Sequence, residues 1–196
     1  QAIPGGATAR PFATYHNTLE MDLFLPIAPE LYLKRLDVGG YEKVYTICKN
    51  FRNEGVDHSH NPEFTMIEIY QAYSDYNDMM KLTEECYEHA CIAIKGSTKV
   101  THEIDGKEIT VDFKAPWPRM TMAEAIKQQL KIDVNKMSVE ELKKYAKENN
   151  LEVRDDMSWG DLVIETFELV EGSIIQPTHI HDMPKEGTPL CKRHRS

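Results

Sequence analysis

The sequence predicts an α+β domain in which an antiparallel β-sheet is flanked by helices. Three observations carry this expectation. Two runs rich in Val, Ile, Tyr, Thr and Phe, 42–53 and 63–74, flank the polar loop Glu54 to Pro62. Five stretches repeat apolar residues at helical spacing or open with helix-start signals. No repeat, low-complexity tract or linker divides the chain, so one domain is expected.

Along the chain, a Gly/Ala/Thr loop to Arg10 leads into two short extended stretches, Pro11 to His16 and Met21 to Ile27. Pro29 then opens a helix of about two turns to Leu36, which Gly39-Gly40 ends. The long hairpin follows. Asp75 is expected to cap a helix reaching about Lys95, with Met79, Leu82, Cys86, Ala90 and Ile94 directed at a core and Gly96 as the stop. Lys99 to Ile104 and Glu108 to Phe113 read as a second hairpin across Asp105-Gly106. Helices are expected over 121–130, over 138–149 behind a Ser-x-x-Glu capping box, and over 158–170. A last strand, 174–181, precedes a basic end rich in Pro and Gly.

With 196 residues, 41% hydrophobic and 28% charged, the chain has enough apolar side chains for a core. A net charge of −9 argues against a surface whose main task is gripping phosphates, since such footprints are basic. Cys48, Cys86, Cys91 and Cys191 form no Cys-x-x-Cys pair, so reduced thiols in a cytoplasmic compartment are expected. No run approaches the ~18 apolar residues of a membrane span, so no membrane partner is expected. No targeting pattern stands at the start, which lacks an initiator Met and reads as the middle of a domain.

The informative stretch is Phe51 to Tyr70. Side chains alternate faces along a strand, so Phe64, Met66, Glu68 and Tyr70 share one face, while Arg52 and Glu54 share a face at the end of the preceding strand. That face is polar for a core. At ~3.3 Å per residue, Phe64 and Glu68 stand about 13 Å apart, an aromatic plate at one end and a carboxylate with a phenol at the other. A ring stacked on Phe64 with its amine donating to Glu54 describes adenine. Arg52 midway suits a phosphate or carboxylate, and Glu68 with Tyr70 suits an ammonium. Together they describe the aminoacyl adenylate of a basic amino acid. The same alternation also fits a solvated sheet face bearing surface ion pairs.

At these residues the sequence resembles the lysyl-tRNA synthetases, members of class II. Their second class motif contains Phe51-Arg52-Asn53-Glu54-Gly55 and, after a loop, His60-Asn61-Pro62-Glu63-Phe64-Thr65 as they stand here. Pro4-Gly5-Gly6-Ala7-Thr8-Ala9-Arg10-Pro11-Phe12, His16-Asn17, the stretch Ile27 to Leu36, and Gln71 to Tyr76 follow the family in the same order. The resemblance is continuous from residue 3 to about 80 and returns weakly at Asp182 to Lys185 and Thr188 to Leu190.

It implies a partial class II catalytic domain over 1–196, with the motif hairpin at about 42–74 and a helical and hairpin insertion at about 97–172. It implies lysine-binding roles for Gly6, Glu30, Arg52, Glu68 and Tyr70. Gly6 and Glu30 would hold the lysine backbone, Glu30 accepting from the α-ammonium, and Glu68 with Tyr70 would read the side-chain amine. Arg52 would bridge the lysine carboxylate and the α-phosphate and is the implied catalytic residue. On the ATP side stand Arg52, Asn53, Glu54 at the adenine amine, Phe64 on the ring, and His60 with Asn61 toward the phosphates or ribose. The implied substrates are L-lysine, ATP and tRNA(Lys), with Mg²⁺ held mainly by residues outside the chain and a homodimer as the complete protein.

The first class motif, the third motif with its late Arg, and the upstream anticodon-binding domain are not found in the chain. The sequence therefore reads as a fragment, impaired on its own. Two other readings stay open: a synthetase-like paralogue that ligates a lysine-type amino acid to a protein, and a non-catalytic interaction module. His58-Ser59-His60 and His179-Ile180-His181 lack a third spaced ligand and read as loop and strand residues rather than a metal site.

Overall fold

The computed structural model of the chain describes residues 5, 9–57, 60–104 and 106–188. It falls into two compact units, one ending at Asp75 and one starting at Tyr76. Both mix helix and strand, as the sequence predicts. Strands pair in four two-stranded ladders among the described residues, three antiparallel and one parallel.

In the first unit, β1 (Ala13–His16) and β2 (Met21–Phe24) form a short hairpin. Helix α1 (Glu30–Val38) starts behind Pro29. The Gly39 amide closes it on the Arg35 carbonyl at 2.9 Å, and Gly40, at φ +101°, turns the chain away in a conformation glycine adopts without strain. Strands β3 (Lys43–Phe51) and β4 (Glu63–Gln71) then pair antiparallel from Lys43↔Gln71 to Phe51↔Glu63.

The covered face of this hairpin mixes apolar and polar side chains. Val44, Thr46, Cys48 and Asn50 lie opposite Tyr70, Glu68, Met66 and Phe64, and this partly polar face is the covered one. The opposite face carries Tyr45, Ile47 and Ile67, at 69%, 65% and 46% exposure. Helix α1 packs against both strands, its Lys34 ammonium lying over the Tyr70 ring. The exposed face also carries Lys43, Lys49 and Glu63, so neither side is cleanly apolar. Polar groups held inside are the pattern of a site.

The second unit begins with α2 (Tyr76–Lys95), followed by the hairpin β5 (Lys99–Ile104) and β6 (Lys107–Asp112). Strand β7 (Arg119–Thr121) runs into α3 (Met122–Leu130), and α4 (Val139–Glu148) and α5 (Trp159–Glu171) complete a three-helix core. Met122, Ile126, Leu142, Leu162 and Val163 are almost fully buried there. Strand β8 (His179–His181) pairs parallel with β7.

Two expectations are corrected here. The apolar stripe assigned to α2 holds only in its first turns: Met79 and Leu82 are covered, as are Met80, Glu84, Glu88 and Cys91, while Cys86, Ala90 and Ile94 are exposed. Two of the covered positions, Glu84 and Glu88, are carboxylates, which a hydrophobic pattern cannot register. Glu84, only 3% exposed, lies 3.2 Å from His179 and 3.7 Å from Arg119, and Glu88 accepts from the Ala115 amide at 3.3 Å. The strand expected over 174–181 is confined to its last three residues. Pro177 has no amide to give a ladder, and the Gln176 side chain instead bonds the β6 backbone, accepting from Asp112 N at 3.0 Å and donating to Thr110 O at 2.9 Å.

The Ser138 capping box forms as expected, and two more accompany it, Thr121 with Glu124 and Ser158 with Asp161. Ser158→Ala is expected to lower stability by about 1 kcal/mol, read as a lower Tm. The acids of all three boxes, Glu124, Glu141 and Asp161, titrate below their ordinary values because backbone and hydroxyl donors favour their charged forms. Their contribution is therefore complete above the ordinary carboxylate range and is lost as pH falls through it, so the acid limb of a Tm–pH curve flattens when the three acids are replaced.

Candidate active site

Two clusters occupy the two ends of the covered hairpin face. At the loop end, the ladder is continued beyond β3 by the Arg52 amide, which donates to Pro62 O at 2.9 Å. Arg52 and Glu54 thus lie past the strand rather than on it, contrary to the sequence reading. They nonetheless face one cavity of about 280 Å³, together with Gly55, His60, Asn61 and Phe64. That is near the lower end of small-molecule sites, about 300–1,000 Å³.

The loop is tied by Asp57, whose carboxylate accepts from the His60 amide at 2.8 Å and meets His60 Nδ1 at the same distance. The Arg52 guanidinium lies over the Phe64 ring, Cζ to centroid 5.2 Å. Its Nε is buried and has no hydrogen-bond partner among the described residues. A buried donor without an acceptor is costly in a finished protein, and in a site it is a group waiting for an anionic ligand. Asn50, fully buried across the ladder from Phe64, carries a second such donor, Nδ2.

At the other end, Tyr70 donates its hydroxyl to Glu68 at 3.0 Å. Burial pushes the Tyr70 hydroxyl well above its ordinary range, and the bond to Glu68 and the charges of Glu68, Glu30 and Asp37 add to the shift. The phenol therefore stays protonated and remains a donor. Glu30, in the first turn of α1, pairs with Lys34, whose ammonium lies 5.9 Å from the centre of the Tyr70 ring. One face thus offers guanidinium, aromatic and carboxylate groups around a cavity at one end, and a cluster of carboxylates with a phenol at the other.

Of the residues singled out from sequence, Arg52, Glu54, His60, Asn61 and Phe64 come together, as do Glu30, Glu68 and Tyr70. Asn53 does not line the cavity; its amide donates to Arg10 O at 2.8 Å, anchoring the strand end. Gly6 lies outside the described residues. Lys34, Asp37, Asn50 and Asp57 were given no role by sequence reasoning. Only Lys34 had a local signal, its spacing of four from Glu30 on a helix.

A larger depression of about 500 Å³ in the second unit is lined by Tyr87, Phe113, Trp117 and His179. Its one imidazole, His179, lies 3.2 Å from the Glu84 carboxylate, and the rest of the named lining is aromatic.

A family model described as tRNA synthetases class II (D, K and N) matches residues 1–196. The chain belongs to that family. Among curated relatives of this class II synthetase chain, lysine-tRNA ligase 2 of Methanosarcina mazei is 52% identical over all of the chain and 38% of the relative. The lysine-tRNA ligase of Christiangramia forsetii is 53% identical over all of the chain and 34% of its own length. That of Clostridium novyi is 52% identical over 98% of the chain and 38% of its own length. The class II chain thus spans little more than a third of the relatives it matches. No helix among the described residues is long and apolar enough to cross a membrane.

Proposed function

We propose that the protein carrying this chain activates L-lysine with ATP and transfers the lysyl group to tRNA(Lys). The observation that carries this reading is the two-ended hairpin face: a cavity with Arg52 and Phe64 at one end and Glu68 bonded to Tyr70 at the other. The names of the relatives agree with it.

In this reading Phe64 stacks on adenine and Glu54 accepts from its amine, while His60 and Asn61 border the ribose or phosphates. Asn53 acts through its backbone anchor rather than by contact. Glu68 and the Tyr70 phenol take the lysine side-chain ammonium, and Glu30 with Gly6 takes the amino-acid backbone. The lysine carboxylate is itself the nucleophile. An oxygen of that carboxylate bonds to the α-phosphorus as the bond to the bridging oxygen breaks, and pyrophosphate leaves. No general base is required, so the protein's task is alignment and charge neutralisation. Arg52 supplies both, leaving the Phe64 ring to grip the carboxylate and α-phosphate through its fork of donors.

Mg²⁺ belongs to ATP chemistry of this class. Among the described residues no group of three or more His, Cys, Asp or Glu side chains could hold an ion, so no residue here is assigned to the metal. We read 42–74 as the motif hairpin and 97–172 as an insertion, and a cytoplasmic homodimer as the complete form. The chain alone is expected to be impaired, since relatives carry about two-thirds of their length beyond it.

The test is amino-acid-dependent exchange of labelled pyrophosphate into ATP by the complete protein. L-lysine is expected to drive exchange far better than the other standard amino acids, with the 196-residue chain at a small fraction of that rate. Exchange driven by aspartate or asparagine instead, or equal rates for the chain alone, would contradict the reading.

A further inference from the structure

We propose that Lys34 is a resident counter-ion of the amino-acid end, which the substrate's α-ammonium must displace from Glu30. This rests on the assignment of Glu30 as the acceptor for that ammonium.

Glu30 and Lys34 are four residues apart on α1, so they share a helix face. An ordinary pair of this spacing stands in solvent. This one is turned onto the hairpin: the Glu30 side chain is only 28% exposed, and the Lys34 ammonium lies 5.9 Å from the ring centre of Tyr70. Tyr70 in turn is bonded to Glu68. A positive charge thus stands between the two places where the substrate's two ammonium groups are assigned.

The surroundings explain why a cation is kept there. Glu30, Glu68 and Asp37 all act on Tyr70, and a buried Asp37 oxygen, Oδ1, has no hydrogen-bond partner among the described residues. Lys34 makes the one ion pair found within this acidic group among the described residues. Without substrate, its ammonium offsets the mutual repulsion of the carboxylates. An entering lysine brings the same chemical group to the same carboxylate, so binding exchanges one ammonium for another. The exchange also sharpens selection. A ligand without an α-ammonium cannot return to Glu30 what it loses when Lys34 leaves, whereas an α-amino acid can.

The inference has a definite sign. A residue that merely positions Glu30 would weaken lysine binding when removed; a competitor would strengthen it. Because Lys34 is about half exposed, the effect is modest. Lys34→Gln in the complete protein is expected to lower KM for L-lysine in pyrophosphate exchange by about two- to fivefold, the range of a partly screened pair. Lys34→Arg, which keeps the charge, should remain near wild type, and Lys34→Met should follow Lys34→Gln. Calorimetric titration with L-lysine gives the same comparison without turnover.

Wild-type exchange saturating with lysine, together with an unchanged or raised KM in both Lys34→Gln and Lys34→Met, would overturn the inference and leave the lysine site standing. A wild-type protein that neither binds lysine nor exchanges with it would overturn the assignment of the site and the inference together.

Discussion

Arg52→Ala is expected to reduce kcat/KM for pyrophosphate exchange by about 100- to 1,000-fold, the loss typical of removing one preorganised donor to developing transition-state charge. Three features of the residue support an effect of this size. Its backbone N–H donates a hydrogen bond to the Pro62 carbonyl, so the side chain leaves from a fixed point at the end of the ladder. Its Nε is buried and without a partner among the described residues, so the desolvation cost is already met before a ligand arrives. Its guanidinium rests on Phe64, within reach of the cavity it lines. Arg52→Lys should recover little, because an ammonium lacks the planar fork that spans a carboxylate and a phosphate together. A loss smaller than tenfold in Arg52→Ala would remove Arg52 from the reaction.

Glu68→Gln comes next. Its amide keeps the shape of the carboxylate and can still accept from Tyr70, but it no longer offers a charge to the lysine ammonium. Hydrogen bonds to charged groups are worth about 1.5–3 kcal/mol, so KM for lysine is expected to rise about 10- to 150-fold. Saturation with ATP should change far less, since Glu68, paired with Thr46, lies four ladder pairs from Phe64, paired with Asn50. The change also has an optical reading. Glu68 helps hold the Tyr70 hydroxyl above its ordinary range, so the tyrosine that disappears in a difference titration against Tyr70→Phe should ionise at lower pH in the Glu68→Gln background. An unchanged KM for lysine would place the side-chain subsite elsewhere.

Much of this was legible in the sequence because the relevant signals are local. Pro29 and Gly39-Gly40 bracket α1, and alternation along 63–71 places Phe64, Glu68 and Tyr70 on one face without any tertiary information. What alternation could not supply was which face is covered. Tyr45, Ile47 and Ile67 lie exposed on a face shared with Lys43, Lys49 and Glu63, while Val44, Phe64 and Met66 share the covered face with Glu68, so neither side is cleanly apolar and hydrophobicity alone does not choose between them.

The misses share a cause, polar groups used as interior partners. Glu84 and Glu88 are covered on α2, so beyond Leu82 its covered stripe departs from the apolar positions the sequence suggests. Gln176 replaces a strand with two side-chain bonds. Arg52 is the last residue to bond across the hairpin, with its side chain at the cavity, and at Asn53 the backbone turns to Arg10 instead. Each of these outcomes depends on a partner distant in the chain, which periodicity does not encode.

The central claim is that one hairpin face binds both halves of a lysyl adenylate. Calorimetric titration of the complete protein with lysyl-sulfamoyl adenosine tests it most directly, since that ligand presents adenine, a phosphate mimic and lysine at once. The account predicts saturable binding to one site per chain, weakened at least tenfold by Arg52→Ala and, separately, by Glu68→Gln. Tight binding that neither substitution disturbs, or no binding by the folded wild-type protein, would contradict it.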